Sequence, residues 1–135
     1  VIALIIYFHL MTQLACLSVP MLCTLFFCGD CWGKFCASQL INFLPYARKE
    51  EESKAKVVYH RMNGYERIFN LAGGLLPAIL LLPATLWLGF VGSILILAFL
   101  VRLMKRRLQG YTGDCCGATF LLCELTFYLC TIILV

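Results

Sequence analysis

Charged residues are scarce in this sequence, and their scarcity indicates the class of protein. Asp, Glu, Lys and Arg make up 13% of the 135 residues, whereas hydrophobic residues make up 62%. The mean hydropathy of +0.91 lies well above the range of ordinary soluble domains. Together these values exclude an ordinary soluble domain and predict an integral membrane protein.

The sequence also lacks the features of a cleaved leader. It begins at Val1 inside an apolar stretch, without an initiator Met, a charged leading segment or a cleavage site. Residues 1–17 therefore do not match a signal peptide, and we predict a transmembrane helix that is cut at its N-terminus. On this basis we expect the sequence to be the C-terminal part of a longer chain.

The nine cysteines do not indicate a zinc site. Cys28 and Cys31 have CxxC spacing, and Cys115 and Cys116 are adjacent, but neither pair has a neighbouring His or a second CxxC. The remaining cysteines lie mostly in apolar runs, where a thiol packs as a small hydrophobe. Packing is therefore the favoured role of these residues.

Five apolar segments are long enough to cross a membrane, at residues 1–18, 21–44, 67–83, 84–104 and 115–135. A span needs about 20 residues at a rise of 1.5 Å each. The predicted fold is therefore an all-α, polytopic membrane helix bundle that forms a single domain.

Prolines and glycines mark the expected boundaries and contacts of these helices. Pro20 suits the first turn of the second helix. The apolar run at 68–101 is too long for one span, and we expect it to break at Pro77 and Pro83. Small residues allow close helix packing in lipid, and four glycines are expected to serve this purpose, at positions 73, 74, 89 and 92.

The distribution of basic residues predicts the orientation in the membrane. Ten of the eleven Lys and Arg residues lie in two segments, 48–67 and 102–107. Five spans place both segments on one face, so the positive-inside rule makes that face cytoplasmic. Nucleic-acid binding is not expected, because these basic residues are juxtamembrane and lack interleaved aromatic residues.

A basic run, a glycine turn and an aspartate separate the last two apolar segments. Arg106 and Arg107 can neutralise phosphates, while Gly110 and Gly113 allow backbone N–H groups to approach an anion. The carboxylate of Asp114 can hold a divalent metal ion or orient a substrate. This turn is therefore the candidate site for chemistry on an anion.

Each of these side chains also has a purely structural interpretation. Arg106 and Arg107 can anchor a cytoplasmic helix end at lipid headgroups. Their positive charges also interact favourably with the negative end of the helix dipole. Asp114 can act as the N-cap of the last helix, with or without a role in binding. Arg48 lies beside a run of three glutamates, a pattern more typical of a solvated face than of a binding patch.

Three ionisable residues fall at hydrocarbon depth, where each costs about 2.5–3.5 kcal/mol at the centre of a bilayer. Asp30 and Lys34 are spaced i and i+4 on one helical face, so we expect them to pair. Glu124 is too far from Asp114 along a helix to share an ion with it, and we interpret it as an inter-helix hydrogen-bonding or charge partner, with Lys34 as a candidate.

Two stretches of the sequence resemble the cobalamin synthase family, the adenosylcobinamide-GDP ribazoletransferases. Residues 108–118 read Leu-Gln-Gly-Tyr-Thr-Gly-Asp-Cys-Cys-Gly-Ala, and residues 122–129 read Leu-Cys-Glu-Leu-Thr-Phe-Tyr-Leu. Together they resemble the C-terminal signature of that family. Upstream, Leu-Pro-Tyr-Ala-Arg-Lys-Glu-Glu at 44–51 is similar to the family's Tyr-Ala-Arg-Glu segment, and Lys34 lies where the family carries a basic residue.

The resemblance implies an enzyme of the bacterial inner membrane that uses magnesium. Its reaction joins the phosphate of adenosylcobinamide-GDP to the ribose hydroxyl of α-ribazole, or of its 5′-phosphate, and releases GMP. It implies that Asp114 is catalytic and a metal ligand, and that substrate contacts come from Arg48, Arg106, Arg107, Gly110, Thr112 and Gly113. The family's Asp-Gly-Leu-Ala-Asp motif has no counterpart in this sequence, so we expect residues 1–135 alone to be inactive.

Two alternatives remain at this point. A CDP-alcohol phosphatidyltransferase is a second enzyme class, but the Asp-Gly-x-x-Ala-Arg segment of that family is absent from the sequence. A transporter or membrane-scaffold subunit would use Asp30, Lys34 and Glu124 to line a polar path. The sequence does not define the oligomeric state.

Overall fold

A computed structural model describes residues 1–47 and 61–135 of the chain. In chain order the helices are α1 (Ile2–Leu17), α2 (Val19–Phe43), α3 (Gly64–Leu81), α4 (Leu88–Arg107) and α5 (Gly113–Leu134), and a 3-10 turn at Ala84–Trp87 precedes α4. Within these ranges the structure contains no strand, so the prediction of an all-α fold is confirmed.

Two helical stretches are long and apolar enough to cross a membrane. They are Ala84–Arg107, which joins the 3-10 turn to α4, and Gly113–Leu134. The helix at the N-terminus is apolar but shorter, at Ile2–Cys16 by the same measure. Each expected segment therefore forms a helix, whereas membrane crossing by all five segments stays a prediction.

The prolines act differently from one another. Pro20 lies in the first turn of α2, as predicted, where a missing N–H costs nothing. Pro77 was expected to break a helix, but α3 continues through it to Leu81, so that prediction was wrong. Helices in apolar surroundings tolerate proline when neighbouring helices support them. The break occurs at Pro83, because the residue before a proline favours extended backbone and Leu82 adopts it.

The bundle is organised around α5, which packs against α2 and α4, while α3 packs on α2 and α1 contacts both α2 and α5. Glycines sit where large side chains cross. A Cβ atom on Gly74 would lie 2.7 Å from Phe35, one on Gly89 would lie 3.0 Å from Phe127, and one on Gly92 would lie 2.6 Å from Cys130. These three contacts confirm the expected role of glycine. Gly73 was the exception, since it faces open space.

Candidate functional site

The end of α2 and the turn between α4 and α5 are joined by a short backbone bridge. The N–H of Ala47 donates to the carbonyl of Tyr111 at 2.9 Å, and the N–H of Tyr111 donates to the carbonyl of Pro45, also at 2.9 Å. The rings of Tyr46 and Tyr111 meet edge to face, with centroids 5.5 Å apart. We call this bridge the clip. It brings together the two segments that carry the family resemblance.

Gly110 allows the clip to close. A Cβ atom at this position would lie 2.5 Å from the carbonyl oxygen of Pro45 and 3.1 Å from the Cα of Ala47. Both neighbours are backbone atoms, which cannot move aside as a flexible side chain can. The close approach that glycine permits here is therefore to the 45–47 segment, and its predicted contact with a diphosphate stays a prediction.

The N-cap of α5 is Thr112, so the interpretation of Asp114 as the cap was wrong. The Thr112 hydroxyl accepts a hydrogen bond from the Cys115 N–H at 3.4 Å. Asp114 lies two positions further on, in the first turn of the helix, where the positive end of the helix dipole stabilises a negative charge. Its side chain is exposed and has no hydrogen-bond or ion-pair partner among the residues described. Asp114 is therefore available to an external group.

Asp114 lies at the edge of a cavity of about 410 Å³ between the end of α4 and the start of α5. Arg107 is the other charged residue of the lining, and the remaining lining residues have mainly apolar side chains, Leu103, Met104, Leu108, Cys115 and Ala118. We call this cavity the α4–α5 groove. The surface of the groove is almost entirely apolar, so the groove itself suits an apolar group. Arg107 and Asp114 belong to its lining, but their polar atoms contribute almost nothing to that surface.

The other predicted site residues lie around the groove or outside the described part of the chain. Arg106 is exposed in the last turn of α4 but does not line the groove, and Gly113 is exposed at the first position of α5. Thr112 uses its hydroxyl for the helix cap. Arg48 lies outside the described residues, although Ala47, its neighbour in sequence, belongs to the clip.

The second polar group consists of an ion pair on the exposed side of α2 and a buried carboxylate between α1 and α5. Lys34 Nζ donates to Asp30 Oδ2 at 2.6 Å, so the predicted ion pair is confirmed. Glu124 is 3% exposed and accepts hydrogen bonds from the hydroxyls of Tyr128 at 2.6 Å and Tyr7 at 3.3 Å. The expected hydrogen-bonding role of Glu124 between helices is confirmed, but its partners are tyrosines rather than Lys34.

We expect Asp30 and Lys34 to be coupled energetically. Asp30→Leu alone or Lys34→Met alone leaves one charge without its partner, whereas the double change removes both charges. The two single variants should each lose more folded protein on heating than the double variant. Thermal unfolding of the four proteins in one detergent measures this. Strictly additive losses would contradict the coupling.

The tyrosines of the clip and of the Glu124 group were not predicted from the sequence. Tyr128 follows Glu124 by one helical turn on the same face, a spacing at which side chains meet. The sequence could therefore have predicted this contact. The contacts of Tyr7 and Tyr111 could not be predicted in this way, because their partners lie in distant parts of the chain. Tyr111 is 1% exposed and forms part of the core beneath the turn.

The fold and the site define a class of protein: a helical bundle with apolar helices of membrane-spanning length and a groove with charged residues at one helix junction. Residues 1–132 match the family described as cobalamin-5-phosphate synthase. The chain belongs to this family. This membership favours the cobalamin synthase interpretation over the phosphatidyltransferase and transporter alternatives.

Several relatives bear the name adenosylcobinamide-GDP ribazoletransferase. The protein of Polaromonas sp. strain JS666 is 48% identical over 99 residues, which cover 67% of this chain and 33% of the relative. The protein of Shewanella pealeana is 31% identical over 135 residues, covering 99% of this chain and 52% of the relative. The chain therefore spans about half or less of the length of these relatives. No solved structure matches it.

Proposed function

We propose that this chain contributes to a membrane-bound adenosylcobinamide-GDP ribazoletransferase. In the proposed reaction a ribose hydroxyl of α-ribazole, or of its 5′-phosphate, attacks the phosphorus that carries the cobinamide. A new phosphorus–oxygen bond forms, the bond to the GMP oxygen breaks, the hydroxyl gives up its proton, and GMP leaves. The observation that carries the proposal is the family match over residues 1–132 together with the name that the relatives share.

The α4–α5 groove supplies part of the chemistry that such a transfer needs. Arg107 provides a positive charge at the groove, and Arg106 adds a second one in the same helical turn. The first N–H groups of α5 lack acceptors within the helix, and the positive end of the helix dipole favours an anion. We propose that these groups neutralise the diphosphate and that the exposed Asp114 carboxylate orients the attacking hydroxyl.

Magnesium at Asp114 is part of the same proposal, but the described residues provide only part of its ligand set. No cluster of three or more His, Cys, Asp or Glu side chains that could hold a metal occurs in the ranges 1–47 and 61–135. Asp114 is the carboxylate that lines the groove. Magnesium binds through carboxylates and substrate phosphates, so further ligands would come from elsewhere. We assign no step of the reaction to the metal.

We further propose that the helices cross the bacterial inner membrane with the groove on the cytoplasmic side. The clip supports this arrangement, because it places the chain just before the basic segment at 48–67 beside the turn that follows the basic run at 102–107. Ala47, which precedes one basic segment in the sequence, and the basic end of α4 therefore lie at one end of the bundle, in keeping with the positive-inside rule. The same rule places the turn at Ala84–Trp87 outside.

Labelling of introduced cysteines tests this orientation. A membrane-impermeant maleimide should label Gln109→Cys only when it is added to the cytoplasmic face of sealed vesicles, because residue 109 follows the basic run. Thr85→Cys, at the opposite end of α4, is the matched control and should react only from outside. Both variants also carry alanine in place of the exposed and partly exposed native cysteines, Cys16, Cys23, Cys31, Cys115, Cys116 and Cys130. Reaction of Gln109→Cys from outside would reverse the orientation.

The proposed activity is tested by GMP release. The complete gene product in membranes should release GMP from adenosylcobinamide-GDP only when α-ribazole or its 5′-phosphate is present. Residues 1–135 expressed alone should insert in membranes yet give no turnover, because the metal ligand set described here is incomplete. Absence of product from the complete protein would refute the function, and turnover by residues 1–135 alone would refute the need for further ligands.

A further inference from the structure

The outer side of α2 carries a stripe of exposed residues that includes an ion pair. Cys23, Phe27 and Lys34 are exposed, and Asp30 is partly exposed. Their spacing of three or four residues places all four on one face of the helix. The side chains of Lys34 and Asp30 are 67% and 30% exposed, so the pair is open to the surroundings of the bundle. We call these four residues the α2 stripe.

The position of the stripe makes exposure to lipid costly. Asp30 and Lys34 lie near the middle of the 25-residue helix α2. If α2 crosses the bilayer, as proposed above, both charges are near the centre of the hydrocarbon, where an ionised side chain costs about 2.5–3.5 kcal/mol. Polar side chains at this depth normally face protein or water rather than lipid. The α2 stripe is therefore unsuited to a lipid-facing position.

A crevice lies beside the α2 stripe and shares Asp30 with it. It has a volume of about 290 Å³ and is lined by Asp30 and Phe26 of α2, Leu4 and Tyr7 of α1, and Phe120, Leu121 and Glu124 of α5. Two carboxylates and a tyrosine hydroxyl therefore share one recess at the surface. A partner that fills the recess needs apolar bulk, and it can place polar groups beside the Asp30–Lys34 pair.

We propose that the α2 stripe and this crevice form the docking surface for a further transmembrane helix, one supplied by the part of the family's polypeptide that these 135 residues do not span. The length of the relatives supports this occupant, because the match to the Shewanella pealeana protein covers 99% of this chain but only 52% of that relative. The occupant is an apolar helix whose side chains fill the crevice and whose polar groups face the Asp30–Lys34 pair.

A second copy of the chain fits the surface less well. Around a two-fold axis along the membrane normal, each residue at the centre of the contact faces its own counterpart. Asp30 would then oppose Asp30 and Lys34 would oppose Lys34, and such like-charge contacts are unfavourable at a low dielectric. A helix of different sequence avoids this repulsion and can supply partners to both charges.

Photo-crosslinking in the complete gene product tests the proposal. Phe27→p-benzoylphenylalanine places a photoreactive ring in the α2 stripe, and Phe99→p-benzoylphenylalanine, on the exposed apolar side of α4, is the control. Protein labelled with ¹⁵N is mixed with unlabelled protein before irradiation, so that mass spectrometry separates contacts within one chain from contacts between copies. We expect the ring at position 27 to join a peptide of the same chain from outside residues 1–135, and the ring at position 99 to react with lipid.

A matched variant tests the role of the charges. Asp30→Leu with Lys34→Met removes the ion pair without leaving a single charge, and it should lower the adduct from position 27 by about threefold or more, the size expected for an inter-helix polar contact in a bilayer. Adducts with a second copy, adducts with lipid alone, or equal adducts from positions 27 and 99 would each overturn the proposal. GMP release is measured separately, so a failed docking surface is distinguishable from a failed function.

Discussion

Asp114→Asn in the complete gene product is expected to lower the rate of GMP release by about 10²-fold or more, the usual contribution of a positioned acid or base group. The physical reason is that Asn keeps the size and polarity of the side chain but loses its charge. An uncharged amide neither binds a magnesium ion well nor accepts a strong hydrogen bond from the attacking hydroxyl. The protein should still fold nearly normally, because Asp114 has no partner among the described side chains.

The structure provides a control that separates catalysis from capping. Thr112 caps α5, so Thr112→Ala should reduce the free energy of unfolding by about 0.5–2 kcal/mol. Thr112→Ser keeps the hydroxyl and should restore most of that loss. GMP release and thermal unfolding are measured on the same membrane preparations. If Asp114→Asn lowered stability as Thr112→Ala does, with little effect on turnover, Asp114 would have a structural role only.

Gly110→Ala is expected to damage the site by opening the clip. The added methyl group would lie 2.5 Å from the Pro45 carbonyl oxygen, so one of the two backbone segments must shift. Forcing extra atoms into a packed region costs about 1–3 kcal/mol. The shift also displaces the turn that leads to Asp114, and a displacement of about 1 Å at a reacting group can lower a rate by about 10²-fold.

Gly117→Ala is the matched control for this prediction. Gly117 lies in α5, within one turn of Asp114, and a Cβ atom there would meet nothing within 4 Å. Alanine should therefore leave turnover unchanged and raise helix stability by up to about 1 kcal/mol. Turnover and unfolding temperature are compared for both variants. Equal behaviour of Gly110→Ala and Gly117→Ala would show that the clip does not position the site.

Hydropathy and charge were sufficient to predict the helices. Each predicted span overlaps one helix of the structure, because long apolar runs and the proline at position 83 are local signals. Pro77 was misjudged because its effect depends on the packing of α3 rather than on the proline alone. A hydropathy pattern indicates that α2 can cross the membrane, but crossing also depends on what surrounds the helix.

The site was predicted in part, and the errors share one cause. The sequence identified the turn that holds Asp114 and Arg107, which the structure places on one groove. The predicted helix cap was misplaced by two residues. The N-cap is the last residue with non-helical backbone before α5, and the path of the chain into the helix decides which residue that is. The partners of Gly110 and Glu124 were missed because the contacts join segments distant in sequence.

The clip also determines when the site can be assembled during synthesis. Its two halves, at residues 45–47 and 111, are separated in the chain by α3 and α4. Since a polypeptide leaves the ribosome from its N-terminus, the hydrogen bonds of the clip can form only after α4 has been made. The chain between Ala47 and Tyr111, which includes α3 and α4, then becomes a closed loop. The turn that holds Asp114 is therefore completed late, and a protein truncated within α4 has no clip.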